Sequence, residues 1–184
     1  MVAHLPEAEL GFDLRQLANA TVAVPTPTHP NAPLQRVVDA METASTLRAF
    51  SHALNEQSLS TALSQVRAGE QRFEAVLSKS AIEALLPEDS LWTQVCALAA
   101  EDGAAIRVRH DDIPLAVTVT DGAVSILIRD ADGVLRGVLR TDAEPVEQLA
   151  RAPLERYLTV AVSVDPAAVH RAQGRTSAAY YTDS

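Results

Sequence analysis

The chain has 184 residues, fifteen basic and twenty-four acidic, for a net charge of −9. That length suits one ordinary domain whose core needs no covalent staple, and so acidic a surface excludes the long-range attraction of phosphates on which nucleic-acid binding usually rests. Fourteen of the basic residues are arginines, Lys79 being the single lysine; a halophilic host predicts such a surface, and GC-rich coding predicts the same replacement of lysine by arginine.

One cysteine, Cys96, cannot form an internal disulfide. No basic and then apolar N-terminal leader is present, and no run of about 18 apolar residues occurs. These features predict a soluble, cytoplasmic protein that does not span a membrane.

In chain order, Leu10, Leu14 and Leu17 recur at helical spacing and lead into a short strand, Thr21–Val24. Pro25 to Pro33 holds four prolines in nine residues, which forbids regular structure and makes a connector. A helix follows, with Pro33 in its first turn and an apolar stripe of Leu34, Val37, Val38 and Met41. The body then alternates: strand 46–53, helix 56–68 stopped by Gly69, strand 72–77, helices 80–86 and 88–100, and strand 105–109. Strands separated by such helices imply right-handed crossovers and a parallel core. Three further strands, 115–120, 123–129 and 134–140, turn at Asp121-Gly122 and Asp132-Gly133 and extend the sheet as antiparallel hairpins. A helix over 146–157 closes the unit, and the chain turns polar from about Asp165. The expected organisation is an N-terminal segment and connector (1–32), a regulatory domain (33–164) and a polar tail (165–184), with an α/β mixed sheet of parallel βαβ core and antiparallel hairpin extension.

The pieces Arg72-Phe73-Glu74-Ala75-Val76-Leu77-Ser78, Ile106-Arg107-Val108-Arg109 and Ile113-Pro114-Leu115, leading to Asp121-Gly122, resemble the C-terminal effector region of archaeal winged-helix transcriptional regulators of the TrmB and FilR types. That region is similar to half of a phospholipase D enzyme. The resemblance implies a phospholipase D-like fold over about 34–164. Such enzymes carry H-x-K-x4-D on the strand ending at the Asp-Gly turn, with histidine as nucleophile and lysine on the phosphate. With Asp121 in the aspartate place, Pro114 stands for the histidine and Ala116 for the lysine. Neither can attack phosphorus or hold a phosphate, so phosphodiesterase chemistry is not expected. Regulators of this kind place a winged helix before the effector region, and the 32 residues ahead of Pro33 are about half of what one needs. Contact with DNA is therefore expected only indirectly, through a winged-helix domain or a partner chain.

Parallel sheets place binding groups outside the carboxyl ends of their strands. Ser51 and His52, Ser78, and Arg107 with Arg109 lie at three such ends; if these line one crevice, they suit a small anionic or polyhydroxylated ligand. The competing reading is a solvated arginine face paired with acidic neighbours. A Ser-His triad is excluded, because neighbours on a strand point to opposite faces. His110-Asp111-Asp112 reads as a solvated loop rather than a metal site, and Asp130-Ala131-Asp132-Gly133 as a hairpin turn rather than a calcium loop. No glycine-rich nucleotide cradle is present and no cofactor is expected. The expectation is a non-catalytic effector domain that senses a small molecule or forms a homodimer. A ligand-free interaction module is the alternative.

Overall fold

The computed structural model of the chain describes residues 20–51, 54–110, 113, 115–130 and 134–164. The Leu10, Leu14 and Leu17 stripe, His52, Pro114, the Asp132-Gly133 turn and the tail from Asp165 lie outside these residues.

The described elements are β1 (Thr21–Ala23), α1 (Ala32–Thr43), β2 (Thr46–Ser51), α2 (Glu56–Arg67), β3 (Arg72–Ser78), α3 (Lys79–Leu85), α4 (Asp89–Ala99), β4 (Ala104–Arg109), β5 (Ala116–Thr120), β6 (Ala123–Arg129), β7 (Leu135–Thr141), α5 (Glu144–Val160) and β8 (Val162–Ser163). They build one mixed sheet of order β1-β7-β6-β5-β2-β3-β4-β8. The strands β2, β3 and β4 are parallel, with Ser51 opposite Leu77 and Ser78 opposite Arg109. Strands β5, β6 and β7 form antiparallel hairpins, joined to the parallel core where β5 meets β2. This is the mixed sheet that the sequence implies. The terminal strand β8, a two-residue antiparallel addition to β4, has no signal in the local pattern.

The helix ends follow local chemistry. Asn55 caps α2 by accepting from the Ser58 N–H at 2.9 Å. At the other end Gly69, with φ +72°, donates to Val66 O while Glu70 donates to Gln65 O. Those two bonds are the Schellman closure that only a residue free to turn left-handed closes without strain. Gln71, 3 % exposed, holds the end of α1 by donating to Met41 O and Ala44 O at 2.8 and 2.9 Å.

Strand alternation divides the core in two. On the front face, Leu47, Phe73, Ala75, Leu77 and Ile106 pack against Val37 and Met41 of α1, Leu59, Ala62 and Val66 of α2, Ala81 and Leu85 of α3, and Trp92, Val95 and Leu98 of α4. On the back face, Phe50, Val76, Val117, Val119, Val124 and Ile126 pack against Val146, Ala150, Leu154 and Tyr157 of α5. Each fully buried aliphatic side chain contributes about 1.5–3 kcal/mol of transfer free energy. Cys96 lies partly buried against the front cluster, and burial pushes its thiol pKa up. Most of the apolar stripe of α1 is spent internally: Val37, Val38 and Met41 are all buried.

Candidate functional site

Of the five residues named from sequence, Ser51 lies on the front face of the sheet and Arg107 and Arg109 on the back. Ser51 points to the front with its register partner Leu77, and it lines a cavity of about 60 Å³ between α1, α2 and the sheet, together with Asn55, Ser58, Thr118 and Leu127. That volume holds about two waters, each occupying about 30 Å³ in the liquid. His52 is outside the described residues. Ser78, fully buried, is the N-cap of α3: its Oγ accepts from Ala81 N at 3.1 Å and meets Ser80 Oγ at 2.9 Å.

Arg107 and Arg109 point to the back, where both meet the end of α5. Arg107 Nη1 donates to Leu158 O at 2.6 Å, satisfying a last-turn carbonyl and setting positive charge at the negative end of the helix. The Arg109 guanidinium lies 4.3 Å from the centroid of the Tyr157 ring, whose edge meets Phe50 at 5.3 Å between centroids. The pair thus fixes α5 onto β4.

The topology bears on the strand ends as well. Chain order places β4 next to β5, but in the sheet β5 lies beyond β3 and β2 and runs the opposite way. The carboxyl end of β4 and the start of β5 therefore lie on opposite sides of β3 and β2. Ile113 and Leu115, between β4 and β5 in the chain, are buried in the back cluster.

Two of the positions that the resemblance sets against the hydrolase motif, Ala116 and Asp121, are among the described residues. Ala116 is 1 % exposed, on β5 opposite Leu127. Asp121 has φ +45° and ties the β5–β6 turn to the start of β2. Its carboxylate accepts from Ser45 N (2.8 Å), Ser45 Oγ (3.0 Å), Thr46 N (2.8 Å) and Thr46 Oγ1 (2.7 Å). Burial would raise its pKa, but these hydrogen bonds outweigh that and hold it below the ordinary aspartate range.

Larger spaces lie elsewhere. One, of about 530 Å³, lies between β1 and the start of α1, with His29, Gln35, Arg36 and Asp39 on its wall. Near it Arg140 donates to the buried hydroxyls of Thr120 (3.1 Å) and Ser125 (3.2 Å). Its pKa is lowered by burial and by the charge of Arg36, against a smaller opposing effect of Asp142. The other, of about 630 Å³, opens on the back face at the amino ends of β2, β3 and β4. Arg48, Arg72, Glu74 and Asp102 line it. Sequence reading missed it because Arg48 and Glu74 come together only through the parallel register, which leaves no local pattern.

Comparison with known proteins agrees with this architecture. TrmBL2, described as an archaeal chromatin protein with a novel mode of DNA binding, superposes with a TM-score of 0.60 at 17 % identity; the match covers 79 % of this chain and 54 % of that one. The match therefore spans about half the length of that protein. The phospholipase D family member Nuc of Salmonella typhimurium (TM-score 0.61, 11 % identity) and NucT of Helicobacter pylori (0.57, 10 %) each match over 79 % of this chain and 98 % of their own. At such identities these likenesses establish a phospholipase D-like fold. No curated protein sequence matches significantly. Residues 30–159, from the connector through most of α5, match the model of the middle domain of the methanogenesis regulatory protein FilR1, and the chain belongs to that family of regulatory domains.

Proposed function

We propose that this domain is the non-catalytic regulatory half of a transcription regulator, that it acts by binding a small molecule, and that it reaches DNA only through a winged-helix domain or another chain. The observation that carries the reading is Ala116, a buried alanine on β5 where the resemblance to phospholipase D enzymes requires the phosphate-binding lysine. A methyl group packed opposite Leu127 can neither hold a phosphate nor be reached by one. Membership of a regulator family supports the same reading. Ser51, next in the chain to His52, is the sequence-named residue beside a cavity, while Arg107 and Arg109 serve the binding of α5.

A second reading, homodimer assembly, is favoured by the sheet edge at β1, where Val22 and Val24 are 61 % and 51 % exposed.

Native mass spectrometry of the protein purified without denaturation, alongside hydrolysis of bis(p-nitrophenyl) phosphate, tests these readings. A retained small molecule, one per chain, supports sensing. A bare dimer shifts the weight to assembly. Ester turnover that Asp121→Asn abolishes would overturn the non-catalytic assignment.

A further inference from the structure

Helix α5 crosses the back of the sheet obliquely. It begins beside the β5–β6 turn, where Glu147 lies against Gly122, and ends at the carboxyl end of β4, where Arg107 and Arg109 hold it. The opposite corner, over the amino ends of β2, β3 and β4, has no helix above it among the described residues. The 630 Å³ groove lies there. Strand alternation decides which side chains face into it: Phe50 and Val76 belong to the back cluster, so Arg48, Arg72 and Glu74 share their face. Gly103 and Ala105, also on its lining, add no bulk.

The groove carries two cations, Arg48 and Arg72, and two carboxylates, Glu74 and Asp102. Arg48 Nε and Glu74 Oε2 are 2.8 Å apart, with side chains 41 % and 31 % exposed. A pair so open to water adds little to folding. The side chains of Arg72 and Asp102 make no hydrogen bond or ion pair among the described residues. A lining of zero net charge, in a protein of net charge −9, offers no advantage to a simple anion. It does offer separate donors for a carboxylate and acceptors for an ammonium group.

We propose that this groove binds a free amino acid, its carboxylate on the guanidinium groups of Arg72 and Arg48 and its ammonium on Glu74 and Asp102. The planar guanidinium fork suits bidentate carboxylate recognition, and the space lies within the range of small-molecule sites, with room over Ala105 for a large side chain. The inference rests on the sensing reading and names its ligand class.

Isothermal titration of the whole chain with each of the twenty amino acids is the test, followed by the best binder's deaminated and decarboxylated analogues. At least one amino acid is expected to bind, each analogue at least tenfold more weakly. Arg72→Gln and Asp102→Asn, both on exposed side chains, are expected to weaken binding at least tenfold with the melting temperature unchanged. Absence of binding by all twenty, undiminished binding by Arg72→Gln, or equal binding of the deaminated analogue would each overturn the proposal. If native mass spectrometry shows a retained molecule that is not an amino acid, this site falls and sensing stands. If nothing is retained and nothing binds, both fall.

Discussion

Among the described residues, four helices cover the front of the sheet and a single oblique helix crosses the back. At the sheet edge, between β1 and the start of α1, the front holds a space of about 530 Å³; beneath its helices, the cavity beside Ser51 holds about 60 Å³. The back keeps an uncovered corner with a groove ten times that volume. A face covered by several helices spends its polar groups on caps and its apolar groups on packing. A face crossed by one helix must pin that helix by its ends, and what the helix misses remains open to solvent and to ligands. The arginines of β4, attractive as ligand residues in the sequence, are the pins.

The sharpest way to break this comparison is to remove the core contact of the lone helix. Leu154 is fully buried, so Leu154→Ala is expected to cost about 2–5 kcal/mol, measured by urea denaturation. The back should then lose hydrogen-exchange protection before the front does. Equal loss on both faces would show that they are not separate units.

Next in size is Arg107→Met. Loss of its charge-assisted bond to Leu158 O is expected to lower stability by about 2 kcal/mol. A variant of unchanged stability would return Arg107 to the candidate ligand residues.

A smaller effect, about 1 kcal/mol because the carboxylate is exposed, is expected for Asp121→Asn, which weakens the tie to Ser45 and Thr46. The pH dependence has a definite sign. The carboxyl pKa of Asp121 is depressed in the folded chain. Its contribution is therefore complete above the unfolded value of about 3.9 and is lost as the pH falls through the lower folded value. Acid titrations of wild type and Asp121→Asn should converge in that window.

Smallest of all is Arg67→Ala on the exposed pair with Glu101 at 2.8 Å, expected to change stability by less than about 1 kcal/mol. A larger loss by thermal denaturation would mean that surface pairs matter on the crowded front as well.

Much of the element pattern was legible because it is local. The span Ala123–Arg129 matches β6 residue for residue, and Glu56, Gly69, Arg72 and Arg109 mark boundaries within one or two residues. Those limits come from caps, glycine stops and two-residue alternation, all written in neighbouring residues. The candidate site was less legible. Ser51, Ser78, Arg107 and Arg109 do lie at strand ends, but the face each one meets depends on register, and their availability depends on what crosses above them. No local signal announced Leu158 O as the partner of Arg107, fifty-one residues away.

The sequence by itself determined the order of the main strands and helices and the division into a parallel core with antiparallel hairpins. These are properties of residue type and short-range spacing. Only the tertiary structure decided that β5 docks against β2 rather than against β4, its neighbour in the chain. That single choice sets the end of β4 and the start of β5 on opposite sides of β3 and β2. It also fixes where α5 starts and the direction in which it crosses. Long-range pairing settles such matters because burial is a property of the assembled sheet: one helix can cover only part of a back face eight strands wide, and the corner it leaves uncovered is set by where its two ends are held.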